Sequence, residues 1–130
     1  MNVPNQRIVY LNGEFVPESE AKIPFRDRGV KFGDAVFDTT RTFGHEIFRL
    51  REHLERFYRS LKYLRIDAGM TIEEFIAVTE HVVERNLPLI GKDEDYWVTQ
   101  RATRGIDTAD RTHWPEWDGK LENVEVAFQG

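Results

Sequence analysis

The 130 residues contain no cysteine, so neither a disulfide framework nor thiolate chemistry is available, which fits a cytoplasmic setting. Positive charge is not in excess either: 18 Lys and Arg stand against 23 Asp and Glu, a formal net charge of −5. That balance argues against a nucleic-acid surface, which needs clustered cations to face phosphates. No apolar run approaches the roughly 20 residues of a membrane helix. The opening MNVPNQRIVY lacks the basic and apolar segments of a secretion signal. His45, His53, His81 and His113 show no metal-ligand spacing. What remains is a globular composition, 40% hydrophobic and 32% charged, at a length that fits one domain over residues 1–130 and buries roughly two-thirds of its unfolded surface.

The pattern along the chain predicts an α+β fold. Ile8 to Leu11, Asn12-Gly13 and Glu14 to Val16 read as a hairpin, because Asn-Gly supplies the two positive-φ positions of a type I′ turn. Residues 17–33 read as polar and irregular, broken by Pro17, Pro24, Gly29 and Gly33. A second hairpin runs from Ala35 to Phe43, turns at Gly44-His45 on a Gly-X turn and returns through Glu46 to Leu50. Leu50, Leu54, Phe57, Leu61 and Leu64 recur at helical steps. A second helix opens at Thr71, with Glu74 completing a capping box, buries Ile72, Phe75, Ile76, Val82 and Val83, and ends at Leu87-Pro88. Asp95 to Thr103 reads as a strand, 105–120 as a loop, and Val124, Val126 and Phe128 as a last strand. The expected architecture is an antiparallel sheet with two helices on one face.

The residues with chemical potential cluster in Asp27 to Ile66, DRGVKFGDAVFDTTRTFGHEIFRLREHLERFYRSLKYLRI. Strand periodicity puts Phe37, Thr39 and Arg41 on one face and Val36, Asp38 and Thr40 on the other. Phe37 there is either core or pocket wall, and Arg41 either a solvated strand end or a ligand contact. Arg56 lies one helical turn after Glu52, a spacing that suits an ordinary surface pair. Arg104 closes the run Tyr96 to Gly105, at a strand end that could simply face water.

This run resembles the N-terminal small domain of class IV (D-amino-acid/branched-chain type) pyridoxal-phosphate aminotransferases. Asp27-Arg28-Gly29, Phe32-Gly33-Asp34 and His53-Leu54-Glu55-Arg56-Phe57 carry the resemblance, which covers about residues 7 to 128. It implies the small-domain fold of fold-type IV enzymes. It also implies pyridoxal 5'-phosphate as cofactor, with its phosphate gripped by Arg56, whose guanidinium fork suits a doubly charged ester. It further implies a substrate pocket lined by Phe32, Phe37, Thr39 and Arg41, with Arg104 reading the substrate carboxylate as in D-amino-acid enzymes. Thr99 stands where branched-chain enzymes tend to carry an arginine, Phe32 where they carry a tyrosine, and Thr39 where glycine is common. The implied reaction moves an amino group between an amino acid (D-amino acid, branched-chain amino acid or (R)-amine) and a 2-keto acid, in a homodimer. An aminodeoxychorismate lyase-like enzyme shares the fold, and a non-catalytic interaction domain is a third reading.

Lys22, Lys31, Lys62, Lys92 and Lys120 fall outside the family's Schiff-base position. The expectation is therefore that the catalytic lysine belongs to a larger, following domain absent from this chain, and that these residues alone are inactive. Trp114 and Trp117 could pack locally or cover a neighbouring pocket. Glu125 to Gly130 looks like the processing site of rhinovirus-type cysteine proteases, by chance or because the polypeptide was cut there.

Overall fold

The computed structural model describes residues 5–106 in full and the backbone of 124–129. Its strands are β1 (Ile8–Leu11), β2 (Glu14–Pro17), β3 (Ala35–Phe43), β4 (Glu46–Ile47), β5 (Trp97–Thr103) and β6 (Val124–Gln129). They form one six-stranded antiparallel sheet in the order β2-β1-β6-β5-β3-β4. Helix α1 (Arg28–Phe32) lies in the segment before β3, while α2 (Leu50–Leu64) and α3 (Ile72–Asn86) connect β4 to β5. α2 packs on β3, and α3 on β6 and β1, so both long helices cover one face. The α+β layer expected from the sequence is the layer observed.

Between helices and sheet lies a core of Leu54, Phe57, Leu61, Phe75, Val82 and Val98, all nearly sealed from water. Phe57 and Phe75 meet edge to face at 5.3 Å across the helix pair, the arrangement favoured by ring quadrupoles. Asn86 ends α3 inside this core. Its Oδ1 accepts from Ile8 N at 2.9 Å and its Nδ2 donates to Ile8 O at 2.8 Å, so this one side chain supplies the ladder bonds at Ile8, where the β1–β6 pairing of Tyr10 and Leu11 does not extend.

The local signals hold at the Asn12-Gly13 turn (φ 51° and 94°) and at the Thr71–Glu74 capping box. Several boundaries differ, each for a visible reason. The segment 17–33 is not wholly irregular: it holds a 3-10 turn at Glu18–Glu20 and α1. Asp27 nucleates α1 by accepting from Gly29 N and Val30 N, and left-handed Gly33 (φ 68°) closes it. At Gly44-His45 both residues are left-handed (φ 57° and 71°), a type I′ arrangement. The return strand stops at Ile47 rather than Leu50, because Arg49 turns left-handed (φ 52°) to start α2. Asp95 is not part of β5; its carboxylate accepts from Thr42 Oγ1, Gly44 N and His45 N and pins the β3–β4 turn. On the helices, Leu64 is 37% exposed, and Ile72 and Ile76 are half-buried, whereas Thr79 and Asn86 are buried. Lys120, Trp114 and Trp117, and the side chains of Glu125 to Gly130, lie outside the described residues.

Candidate functional site

β3 carries the two faces that its alternation predicts. Val36, Asp38, Thr40 and Thr42 are buried under the helices, while Phe37 and Arg41 are exposed on the uncovered face with Thr39 half-buried between them. Across the ladder to β5, Phe37 stands opposite Arg101, Thr39 opposite Thr99, and Arg41 opposite Trp97. The Thr39 and Thr99 hydroxyls approach to 3.0 Å. Arg41 donates through Nε to Thr42 O and lies 4.0 Å over the Phe43 ring. Phe37 is 67% and Trp97 62% exposed, so this face is an open polar-aromatic surface. Among the described residues β4 pairs with Thr42 and Phe43 and Phe48 N donates to Arg41 O at 2.9 Å, which leaves the edge of β3 over residues 35–40 without a neighbouring strand.

On the helix side of the same strand sits Arg56. It does not turn to Glu52, the surface partner its helical spacing suggests. Its Nε donates to Asp38 Oδ2 and its Nη2 to Asp38 Oδ1, each at 2.8 Å. His53, one turn earlier on α2, approaches Asp38 Oδ1 through Nδ1, also at 2.8 Å. An ionised carboxylate only accepts, so this contact puts the imidazole proton on Nδ1. Burial pushes the Asp38 carboxyl up, and the Arg56 and His53 contacts outweigh it, holding Asp38 below the ordinary 3.8. Asp38 is almost fully buried while the Arg56 side chain is 60% exposed. Arg56 lines an open cavity of about 370 Å³ with Arg59, Ser60, Tyr63 and Leu64.

Arg104 and Phe32 lie at the other end of the sheet. Arg104 donates through Nε to Asp34 at 2.6 Å, through Nη2 to Leu64 O at 2.7 Å and through Nη1 to Arg65 O at 3.3 Å. It thus caps α2, whose last carbonyls lack helical partners. Arg28 also donates to Asp34, and these arginines, Arg104 foremost, hold the Asp34 carboxyl below its ordinary value. Phe32 is 64% exposed, with the Arg28 guanidinium 5.0 Å and the Lys31 ammonium 5.1 Å from its ring centre. Gly29 is required here, since a Cβ would come within 2.7 Å of both Asp27 Oδ1 and Thr103 Cγ2.

The structure therefore groups Phe37, Thr39 and Arg41 on one face of β3, sets Arg56 on the opposite, helix-covered face, and separates Arg104 from Arg41 by the length of the ladder. Ala35 pairs with Thr103 and Arg41 with Trp97, a span of roughly 20 Å at about 3.4 Å per residue. Asp38 and His53 are the site residues that motif reading passes over. A charged residue on the buried face of a strand is the available signal, because such a group is rarely buried unless paired.

A model of the family described as amino-transferase class IV matches residues 35–110. A D-alanine aminotransferase of Staphylococcus haemolyticus is 37% identical over 105 residues, which cover 81% of this chain and 35% of that enzyme. Among solved structures, the branched-chain aminotransferase of Thermoproteus uzoniensis with norvaline superposes with a TM-score of 0.72 at 30% identity, covering 94% of this chain and 40% of that one. The T.th. branched-chain amino acid aminotransferase complexed with N-(5'-phosphopyridoxyl)-L-glutamate gives a TM-score of 0.75 at 27% identity, covering 95% and 40%. The chain thus spans about a third of the length of the curated relatives it matches.

Proposed function

The chain belongs to the amino-transferase class IV family, and we propose on that premise that it is the N-terminal small domain of a pyridoxal-phosphate aminotransferase. The enzyme would move an amino group between an amino acid and a 2-keto acid, the donor being a D-amino acid, a branched-chain amino acid or an (R)-amine. The observation that carries this is the position of Arg56: it lines an open cavity on α2 and is tied through Asp38 to β3, the strand whose other face carries Phe37, Thr39 and Arg41. The donor set suits a phosphate monoester, since Arg56, Arg59 and the Ser60 hydroxyl offer charged and neutral donors along one face of α2. When bound, the cofactor supplies the electrophilic carbon and electron-accepting ring through which an amino group passes from donor to acceptor.

The chain's own residues would bind and orient. Arg56 holds the phosphate; Phe37, Thr39 and Arg41 form one wall of the substrate pocket, with Phe32 at its end. For Arg104 to read the substrate carboxylate, it must release the Leu64 and Arg65 carbonyls. Lys22, Lys31, Lys62 and Lys92 are all exposed, and none lines the cavity, so the covalent attachment is assigned to a larger second domain. A cytoplasmic homodimer completes the proposal, supported by the cysteine-free composition and by family membership. Among the described residues no helix is long and apolar enough to cross a membrane.

Amino transfer to 2-ketoglutarate from D-alanine, L-leucine and (R)-1-phenylethylamine tests the proposal, measured with this chain alone and with residues 1–128 joined to the C-terminal remainder of the Staphylococcus haemolyticus enzyme. The joined protein is expected to turn over one of these donors and the 130 residues none. Turnover by the chain alone would remove the two-domain reading. Pyruvate release from aminodeoxychorismate without amino transfer would move the assignment to a lyase.

A further inference from the structure

We propose that Asp38 is a positioning residue for phosphate recognition, acting through Arg56, with His53 holding the carboxylate in place. The inference rests on the reading of Arg56 given above. Asp38 occupies a helix-facing position of β3 between Val36 and Thr40, where the strand otherwise presents apolar or hydroxyl side chains. Its neighbour across the ladder, Gln100, does not serve it; the Gln100 amide turns to Thr79 Oγ1 at 3.4 Å. Among the described residues, every partner of the Asp38 carboxylate comes from α2: Arg56 Nε and Nη2, and His53 Nδ1. Two parallel bonds fix the plane of the guanidinium as well as its position. Nη1 is left as the one nitrogen of Arg56 with no protein partner among the described residues.

Two effects of Asp38 on a bound phosphate oppose each other. Its negative charge repels the phosphate through Arg56, which by itself makes the site weaker. Its two bonds order a guanidinium that is 60% exposed and would otherwise sample many rotamers, which lowers the entropic cost of binding. Glu52 offers an alternative anion on the surface of α2, and an unanchored Arg56 would divide its time between Glu52 and water. An exposed arginine also needs no buried carboxylate for its own stability, since burying such a group is costly. Geometry therefore accounts for Asp38 where charge does not. The two accounts predict opposite signs on removal of the carboxylate.

The test is NMR on the 15N-labelled chain while pyridoxamine phosphate, and separately inorganic phosphate, is titrated to millimolar concentration. The backbone amide shifts of Arg59 and Ser60 report affinity in every variant, and wherever Arg56 is present the lock is read from its Nε–H signal. In the wild type, that signal is expected to exchange slowly before any ligand is added and to shift on titration. Asp38→Asn should speed its exchange and weaken binding about tenfold; Arg56→Ala should abolish the response. Val82→Ala, a core change in α3, should lower the melting temperature and leave affinity unaltered. Weak binding by Arg56→Ala combined with unchanged or tighter binding by Asp38→Asn overturns the positioning role alone. Weaker binding by Asp38→Asn with the Arg56 signal still protected overturns it too, because the loss would not run through the arginine. Unchanged binding by Arg56→Ala, or no response in the wild type, removes the Arg56 reading and this inference with it. Should Asp38→Asn fail to fold, the wild type decides: an Arg56 Nε–H that exchanges like that of a free arginine is incompatible with the lock.

Discussion

Two arginines of this domain are each clamped by an aspartate of the β3 region, and they differ in what they leave over. Arg104 engages all of its nitrogens within the chain, with Asp34 on one side and the Leu64 and Arg65 carbonyls on the other. Arg56 binds Asp38 through one edge, lines the cavity, and keeps Nη1 without a protein partner among the described residues. The carboxylates differ as well: the Asp38 side chain is 4% exposed and the Asp34 side chain 17%. A guanidinium with every nitrogen engaged ties elements together, whereas one with an open edge is prepared for an anion from outside. Free donor capacity, rather than the presence of a salt bridge, separates the two roles.

The largest effect is expected at Arg56. Arg56→Ala leaves a nearly buried carboxylate with His53 as its remaining partner among the described residues. The expected loss of stability is about 3 kcal/mol, since an uncompensated buried charge is the costly half of a broken pair. Asp38→Asn leaves an arginine that water can reach and should cost about 1 kcal/mol. Combining the two should recover a large part of the Arg56→Ala loss, measured by urea unfolding of all four proteins. Additive losses would mean that the pair is not coupled as its geometry indicates.

Arg104→Ala is expected to cost about 2 kcal/mol, because Asp34 keeps Arg28 as its remaining side-chain partner among the described residues and two terminal carbonyls of α2 lose their cap. Urea unfolding measures the loss, and the response of Arg56 to pyridoxamine phosphate should stay within about twofold of wild type. A large loss of phosphate response with little loss of stability would put Arg104 among the ligand contacts and erase the distinction between the two nodes. His53→Ala is expected to be smaller, about 1 kcal/mol in the same assay, because Asp38 Oδ1 still accepts from Arg56 Nη2.

The legibility of these features in the sequence follows from how local each one is. The Asn12-Gly13 turn, the Thr71 cap and the alternation of β3 are written within a few residues, and the structure carries all of them. Pattern alone carries the return strand after His45 three residues too far, because the left-handed Arg49 that starts α2 leaves no mark in composition. Asp95 looks like the start of a strand but serves a turn some 50 residues away, between Thr42 and His45. Arg56 stands out through its motif; its partner does not, since helical spacing points to Glu52 and only the packing of α2 on β3 brings Asp38 within reach. Asn86 shows the same limit, bonding to Ile8 from 78 positions away.

The smallest difference between the two nodes is one of protonation, and it shows on acid titration. Both Asp38 and Asp34 lie below the ordinary 3.8 in the folded protein, although burial works against both. At Asp34 the Arg104 bond is the leading influence, whereas at Asp38 burial is the largest single influence and Arg56 together with His53 overcomes it. A carboxyl that binds its proton less readily when folded adds stability that is complete above the unfolded value and is lost as pH falls through the folded one. The advantage of wild type over Asp38→Asn, and over Asp34→Asn, should therefore be constant above about pH 5 and shrink on going below the ordinary carboxylate range. In an Arg104→Ala background the Asp34 contribution to that slope should nearly vanish while the Asp38 contribution persists, read from urea midpoints at each pH. A slope at Asp38 that also disappears in that background would show the two nodes to be one electrostatic unit, with the open edge of Arg56 dependent on the cap at Arg104.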